Sequence, residues 1–184
     1  MDLKINGQNI LKMRTVTMAF DPIEDRICMD AADFSGRVEK LWLSRRLLDR
    51  LVPALTKQLE QLDEPESESN SRAEIQSFAQ EKAIVEKKEH SPIKGSSESK
   101  FWLVTSIQVG QKNNDFQLRF INEIEEAGQK FVKHKGVFTL AKPNLRQWLN
   151  AVFKIYQKAE WKTDSFPNWM DDTNSIGKSS ITLN

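Results

Sequence analysis

The feature that most constrains the fold is a helical pattern that occurs near both ends of the chain. In residues 44–62, apolar residues recur at spacings of three, four and seven, which places them on one helix face: Leu48, Leu51, Val52, Leu55, Leu59 and Leu62. Residues 140–159 repeat the same apolar phase when Leu43 is aligned with Leu140. Ser44 is placed to cap the first helix, and Pro53 predicts a kink or a restart inside it.

Each of these helices follows three segments with strand character. The segments alternate polar and apolar residues and are separated by turn-forming residues: 14–20, 26–34 and 37–43 before the first helix, and 101–111, 115–125 and 130–140 before the second. The turns KNND and EAGQ divide the second set. The sequence therefore predicts the order strand, strand, strand, helix twice.

These patterns predict an α+β protein of two pseudo-symmetric βββα halves that share one core. Each half alone would leave a sheet face bare, so we expect a single domain over residues 1–162. The first half covers 13–62, an insertion covers 63–100, and the second half covers 101–162. Residues 163–184 are expected to form a mostly loose tail. Residue identity between the halves is low, so common ancestry stays open.

The insertion differs from both halves in composition. It opens with the acidic, apolar-free stretch DEPESESNS and ends with the Ser- and Gly-bearing stretch HSPIKGSSESK. Between them, Ser71 and Glu74 have the spacing of a capping box. A narrow apolar stripe follows: Ile75, Phe78, Ala79 and Val85. We expect either a short helix that lies on the domain or a transient one, and therefore a polar, partly helical insertion.

Composition limits the setting of the protein. A single cysteine, Cys28, excludes an internal disulfide and favours a reducing compartment. No apolar run has the length of a signal peptide or a membrane span, so we expect a cytoplasmic protein without a membrane partner. The first helix mixes Arg45, Asp49 and Glu60 on its polar face, which favours a core helix over a membrane-surface helix. The formal net charge of +1 indicates no particular partner.

Catalytic patterns are not found. His90, His134 and Cys28 cannot assemble a zinc or iron site at the usual spacings, and the seven glycines form no phosphate-binding loop. Clustered acids occur in DPIED, residues 21–25, and in DAAD, residues 30–33, where turn chemistry is the stronger interpretation. We therefore expect no enzyme, no cofactor and no metal site.

Charge is distributed unevenly. Between Ala127 and Ala159 there are seven Lys or Arg residues and no Asp or Glu, whereas residues 60–70 carry five acids and no base. The candidate polyanion-binding residues are Lys130, Lys133, His134, Lys135, Arg146, Lys154 and Lys158. Interleaved aromatic residues fit single-stranded nucleic acid, but an ordinary solvated surface over core aromatics is the alternative. The acidic stretch could also fold back onto the basic one.

A second candidate surface lies in the tail segment SFPNWMDD. Phe166, Trp169 and Met170 are candidate partner-docking residues, because aromatic side chains supply much of the energy of small interfaces. Packing of these side chains on their own domain is the favoured alternative. The sequence as a whole predicts a non-catalytic binding or assembly module for a protein partner or for itself. The alternative is single-stranded nucleic-acid binding by residues 127–159.

Overall fold

The computed structural model describes residues 10–63 and 72–171 of the 184-residue chain. It has a mixed α+β fold with a seven-stranded sheet and four helices, which confirms the predicted α+β class, while the pseudo-symmetry of two βββα halves stays a prediction. Contacts divide the chain into two compact units, residues 1–48 with 90–141 and residues 49–89 with 142–184. Within the described residues, no helix is both long enough and apolar enough to cross a membrane.

The strands belong to the first unit. Their bounds are β1 Leu11–Asp21, β2 Arg26–Asp33, β3 Val38–Ser44, β4 Phe101–Leu103, β5 Ser106–Lys112, β6 Asp115–Glu126 and β7 Gln129–Leu140. The helices are α1 Arg45–Leu62, α2 Arg72–Val85, α3 Lys142–Lys158 and a short α4 at 168–171. Leu47 N donates to Ser44 Oγ at 3.4 Å, which confirms the predicted helix cap.

The sheet has the strand order β4-β3-β2-β1-β7-β6-β5. The β1–β7 and β3–β4 pairs are parallel, and the others are antiparallel. Although β4 and β5 stand at opposite ends of this order, only Val104 and Thr105 separate them in sequence. Val104 N donates to Trp42 O at 2.9 Å and Thr105 N to Ile121 O at 2.8 Å, so the backbone changes partner here from β3 to β6. The predicted single strand 101–111 was therefore wrong, because its two ends pair with different neighbours.

The inner face of the sheet holds the apolar core of the first unit. Alternate residues of the strands are fully buried, as period-two geometry requires, among them Ile27, Met29, Leu41, Leu43, Phe116, Leu118 and Phe120. Gly136 lies in this layer, where a Cβ atom would meet the Met13 side chain. The end of the insertion also belongs to this unit, since Ile93 N donates to Thr17 Oγ1 at 2.8 Å.

The predicted turn chemistry of the acids is confirmed for Asp21 and Asp33 but is wrong for Asp30, which lies within β2 opposite Lys40. Asp21 Oδ1 accepts from Ile23 N and Glu24 N, and Asp33 Oδ1 accepts from Ser35 N and Arg37 N. These bonds use the carboxylates to cap the turns. The KNND hairpin has positive φ at Asn113 and Asn114, and the EAGQ hairpin has positive φ at Ala127 and Gly128, as type I′ turns require.

Helices α2 and α3, with α1 from Asp49 onward, belong to the second unit. The predicted apolar stripe of α1 is buried except for Leu62, which is 41% exposed. Helix α1 runs through Pro53 as one element, so the predicted restart does not occur. Tyr156 Oη of α3 donates to Asp49 Oδ1 of α1 at 2.8 Å. The two helices predicted from the repeated pattern are thus joined by a hydrogen bond.

Candidate functional site

The candidate polyanion-binding residues do not form one group. Four lie on β7 in the first unit, and three lie on α3 in the second. On β7, Lys130 stands opposite Glu125 in the hairpin, so an acid faces it across the strands. Lys133 is exposed at a β-bulge, because its neighbours Val132 and His134 pair with β6 and Lys133 itself does not. Lys135 is half-buried opposite Ile121. Lys133 and Lys135 are therefore the β7 lysines without an acid directly opposite.

His134 is half-buried against an aromatic side chain. Its ring stacks on Trp102 with centroids 5.7 Å apart, and Trp102 Nε1 donates to Glu39 Oε2 at 2.9 Å. Burial lowers the pKa of His134 from its ordinary value, and Lys100 lowers it further. The imidazole is thus neutral at pH 7, so it adds no charge for a polyanion. Glu39, at 6% exposure, is satisfied by the indole N–H.

Arg146 is the center of a buried polar cluster between α1, α2 and α3. Its side chain is 2% exposed, and Nη2 lies 2.9 Å from Asp63 Oδ2. The same guanidinium bonds to Gln76 Oε1, and Gln80 Nε2 donates to the Arg146 carbonyl oxygen at 3.0 Å. Lys142 Nζ lies 2.8 Å from Asp63 Oδ1. Lys142 and Arg146 of the basic stretch 127–159 therefore pair with Asp63 of the acidic stretch 60–70.

The electrostatics of Asp63 follow from these contacts. Burial raises its pKa, but hydrogen bonds from Lys142 and Arg146 outweigh that effect and hold it below the ordinary value. The idea that the acidic stretch folds back onto basic residues holds for Asp63. Its other members from Glu64 to Asn70 lie outside the described residues. On α3, Lys154 and Lys158 are exposed.

The candidate docking residues Phe166, Trp169 and Met170 are buried, at 7%, 5% and 0% exposure. Phe166 packs edge-on against Phe153 and Tyr156, with centroids 5.1 and 4.9 Å apart. Trp169 Nε1 donates to Glu60 Oε1 at 2.8 Å, and its ring lies 5.3 Å from Arg146 Cζ. These three side chains pack within the second unit. Phe166, Trp169 and Met170 of the tail are thus packed, and residues 172–184 lie outside the described residues.

Helix α2 is turned away from the orientation that the sequence predicts. Its buried residues are Gln76, Gln80 and Ala83. Of the predicted apolar stripe, Phe78 is 69% exposed and Val85 77% exposed, whereas Ile75 and Ala79 are half-buried. The reason is the Arg146 cluster, because a buried guanidinium needs polar partners and the two glutamines provide them. The predicted cap Ser71 lies outside the described residues.

Strand β5 carries a feature that sequence reasoning missed. One edge of Ser106–Lys112 pairs with β6, and no described strand pairs with the other edge. Arg119 of β6 lies beside this strand, and its Nη2 is 3.9 Å from where a Cβ atom on Gly110 would be. Arg119 Nε donates to Gln117 Oε1 at 2.9 Å. The isolated Gly110 in a strand pattern is the signal that could have indicated a close approach.

A cavity of about 390 Å³ lies in the second unit beside Trp169. Its lining includes Lys57, Glu60, Asp63, Arg72 and Gln76. Glu60 and Asp63 already bond to Trp169, Lys142 and Arg146, so the acids of this wall are engaged. Residues 64–71, which run in sequence from one wall to the other, lie outside the described residues.

Metal-ligating and nucleophilic side chains form few groups in the part of the chain that the structure describes. Within residues 10–63 and 72–171, no cluster of three or more His, Cys, Asp or Glu residues could hold a metal ion. Cys28 is half-buried, and burial followed by Asp30 raises the pKa of its thiol, which disfavours the nucleophilic thiolate. Comparison with protein-family models, curated proteins and solved structures found no match for the chain.

Proposed function

We propose that the chain is a non-catalytic protein-binding module that takes up an extended segment of a partner along the free edge of β5. The observation that carries this proposal is the backbone of Ser106–Lys112. Within the described residues it bonds to β6 on one side and has no backbone partner on the other. Strand addition at such an edge supplies affinity through main-chain hydrogen bonds.

The composition of β5 supports this use of the edge. Proteins usually protect an exposed edge strand with lysine, proline or a bulge. Residues 106–111, SIQVGQ, contain no charge and no proline, and Lys112 stands only at the end of the strand. Ile107 and Val109 are half-exposed β-branched residues, which favour strand pairing. An uncharged edge that forms strands readily is suited to accept another strand.

Arg119 indicates the chemistry of the partner. Its guanidinium extends over Gly110, which has no side chain to block it, and so reaches toward the free edge. In the part of the chain that the structure describes, no carboxylate lies within ion-pair distance of it. Arginine binds carboxylates through two parallel hydrogen bonds. We therefore expect an extended partner segment with an Asp or Glu on the face above Gly110.

The strand pairing also supports the proposed pseudo-symmetry of the two halves. The start of β1 pairs in parallel with β7, the last strand of the other half, over Leu11–Met13. The start of the second half, β4, pairs in parallel with β3, the last strand of the first half. Each half thus begins beside the end of the other. If the halves are equivalent, residues 101–162 alone should assemble as a two-fold dimer.

Single-stranded nucleic acid remains the alternative prediction. Lys133 and Lys135 of β7 stay available for phosphates, and Arg119 shares the outer face with Lys135. Two other candidate bases are less available to phosphates, because Arg146 is buried with Asp63 and Lys130 faces Glu125. The placement of these bases therefore favours a protein partner.

A display library of random linear peptides, selected on the full chain, tests the proposal. We expect enrichment of segments that alternate β-branched residues with an acidic residue. The enriched peptide should lose binding when it is N-methylated at alternate residues, because methylation blocks strand pairing and keeps the side chains. Arg119→Gln should weaken binding about tenfold, as loss of one charge-assisted contact predicts.

Lys158→Gln serves as the matched control, since it removes an exposed cation on α3, outside the proposed binding strand. Its affinity for the peptide should stay near that of the wild type. If no peptide is enriched, or if N-methylation does not weaken binding of the enriched peptide, strand addition at β5 is excluded. Salt-sensitive binding of labelled single-stranded DNA, weakened by Arg119→Gln, would support the alternative instead.

A further inference from the structure

The outward face of α2 carries a surface that the proposed peptide site does not use. Phe78 and Val85 stand seven residues apart, two helical turns, and so lie on one line along the helix. Their exposures of 69% and 77% are unusual for large apolar side chains on an ordered helix. The opposite face is fixed by Gln76 and Gln80 in the Arg146 cluster, so α2 cannot turn to bury them.

The charges beside this line are complementary to a copy of themselves. Glu81 and Lys82 lie midway between the levels of Phe78 and Val85, one on each side of the line. When two identical helices pack in parallel about a two-fold axis, each flank faces the opposite flank of the partner. Glu81 of one copy then faces Lys82 of the other, twice. In an antiparallel pair, Glu81 would face Glu81 and Lys82 would face Lys82.

We propose that α2 is a homodimerisation helix, and that two copies of this chain pack their α2 helices in parallel. Phe78 packs against Phe78 and Val85 against Val85 across the axis, with the Glu81–Lys82 pairs between these two layers. In the single chain, Lys82 Nζ lies 3.9 Å from Glu86 Oε1, an exposed pair within the helix. Such pairs contribute little, so Lys82 is able to turn to the partner.

Charge exchange on the full chain tests both the partner and the orientation, with sedimentation velocity as the measurement. The interface is small, so the wild type should dimerise within a range of about 1 to 200 µM. Glu81→Lys or Lys82→Glu alone should weaken the dimer about tenfold, because like charges then meet across the axis. The double exchange should restore the wild-type affinity. An equimolar mixture of the two single variants should form a heterodimer.

A crosslinking measurement keeps the proposal testable if a charge variant folds poorly. Val85→Cys in a Cys28→Ser background should form an 85–85 disulfide under mild oxidation, because the parallel register places each copy of residue 85 beside the other. Lys158→Glu, an exposed charge change on α3, should leave the dimer unchanged. A wild type that stays monomeric, or single variants that dimerise like the wild type, would overturn the proposal. Peptide binding at β5 is measured separately and does not depend on this result.

Discussion

Arg146 Nη2 and Asp63 Oδ2 lie 2.9 Å apart, and this pair joins residues 83 positions apart in the chain. The linear sequence presents the two as members of opposite charged stretches. In the fold they neutralise each other inside the second unit, and Lys142 bonds to the same carboxylate. The contact therefore keeps Arg146 away from the surface and pairs the half-exposed Lys142 with a carboxylate. It also sets the orientation of α2, because Arg146 requires the two glutamines of that helix.

Asp63→Asn should destabilise the protein, since it leaves the buried guanidinium of Arg146 without its counter-charge. Removing one partner of a buried pair typically costs 3–5 kcal/mol, and the 22% exposure of Asp63 reduces the expected loss to about 2–3 kcal/mol. Urea unfolding at pH 7 measures the change. Asp164→Asn, an exposed acid of the same unit, should change stability by less than about 0.5 kcal/mol. Equal effects of the two variants would contradict this role of Asp63.

The same pair contributes a pH dependence of known sign. The folded-state pKa of Asp63 is below its ordinary value of 3.8. Its contribution to stability is therefore complete above pH 3.8 and is lost as the pH falls through the folded-state value. The stability difference between wild type and Asp63→Asn should be constant above that pH and should shrink below it. A difference that does not vary with pH would rule out the carboxylate as its source.

His134 and Trp102 predict a second, separate pH window. Burial and Lys100 lower the pKa of His134 below 6.5, so the unfolded chain binds its proton at a higher pH than the folded chain does. Stability should fall as the pH drops from 6.5 toward the folded-state value, and should level off below it. His134→Gln should remove this component, whereas His90→Gln, in an exposed segment, should retain it. Urea midpoints measured between pH 7.5 and 5 decide between these outcomes.

Local sequence patterns predicted most elements of the fold. Period-two alternation, the apolar stripes of α1 and α3 and the hairpin turns depend on neighbours within a few positions, and these parts were correct. Strand 101–111 was misassigned because nothing in LVTS marks a break. The chain divides there because Phe101–Leu103 pairs with β3 and Ser106–Lys112 pairs with β6, and these are long-range choices.

The surfaces were less predictable for a related reason. The sequence left open whether α2 lies on the domain or is transient. Its Phe78 and Val85 are exposed because Arg146, 70 residues away from Gln76, needs polar partners from this helix. Trp169 and Phe166 illustrate the opposite case. Their packing on the parent unit was the favoured alternative, because aromatic side chains in a polar tail are costly to expose. A single sequence shows which side chains need a partner, but it does not identify a partner that is distant in sequence.

Gly136 and Gly110 provide a test of how tightly the two regions of the sheet are packed. A Cβ atom at Gly136 would meet the Met13 side chain, with Trp102 and the Leu11 carbonyl close behind, so Gly136→Val should destabilise by about 2–3 kcal/mol through overpacking. At Gly110 the nearest atom is Arg119 Nη2 at 3.9 Å, an ordinary contact. Gly110→Ala should therefore be neutral or stabilise by about 0.5 kcal/mol. Thermal unfolding distinguishes them, and similar shifts for both variants would contradict the packing difference.

Phe166 and Phe101 separate a core role from a surface role for aromatic side chains. Phe166 is 7% exposed and contacts Phe153 and Tyr156, so Phe166→Ala should reduce the free energy of unfolding by about 3–4 kcal/mol. Phe101 is 69% exposed on β4, and its replacement by Ala should cost less than about 1 kcal/mol. Urea unfolding of the two variants under identical conditions gives the comparison. If Phe166→Ala were as stable as wild type, Phe166 would not be part of the core. The prediction that Phe166 contacts a partner would then be favoured.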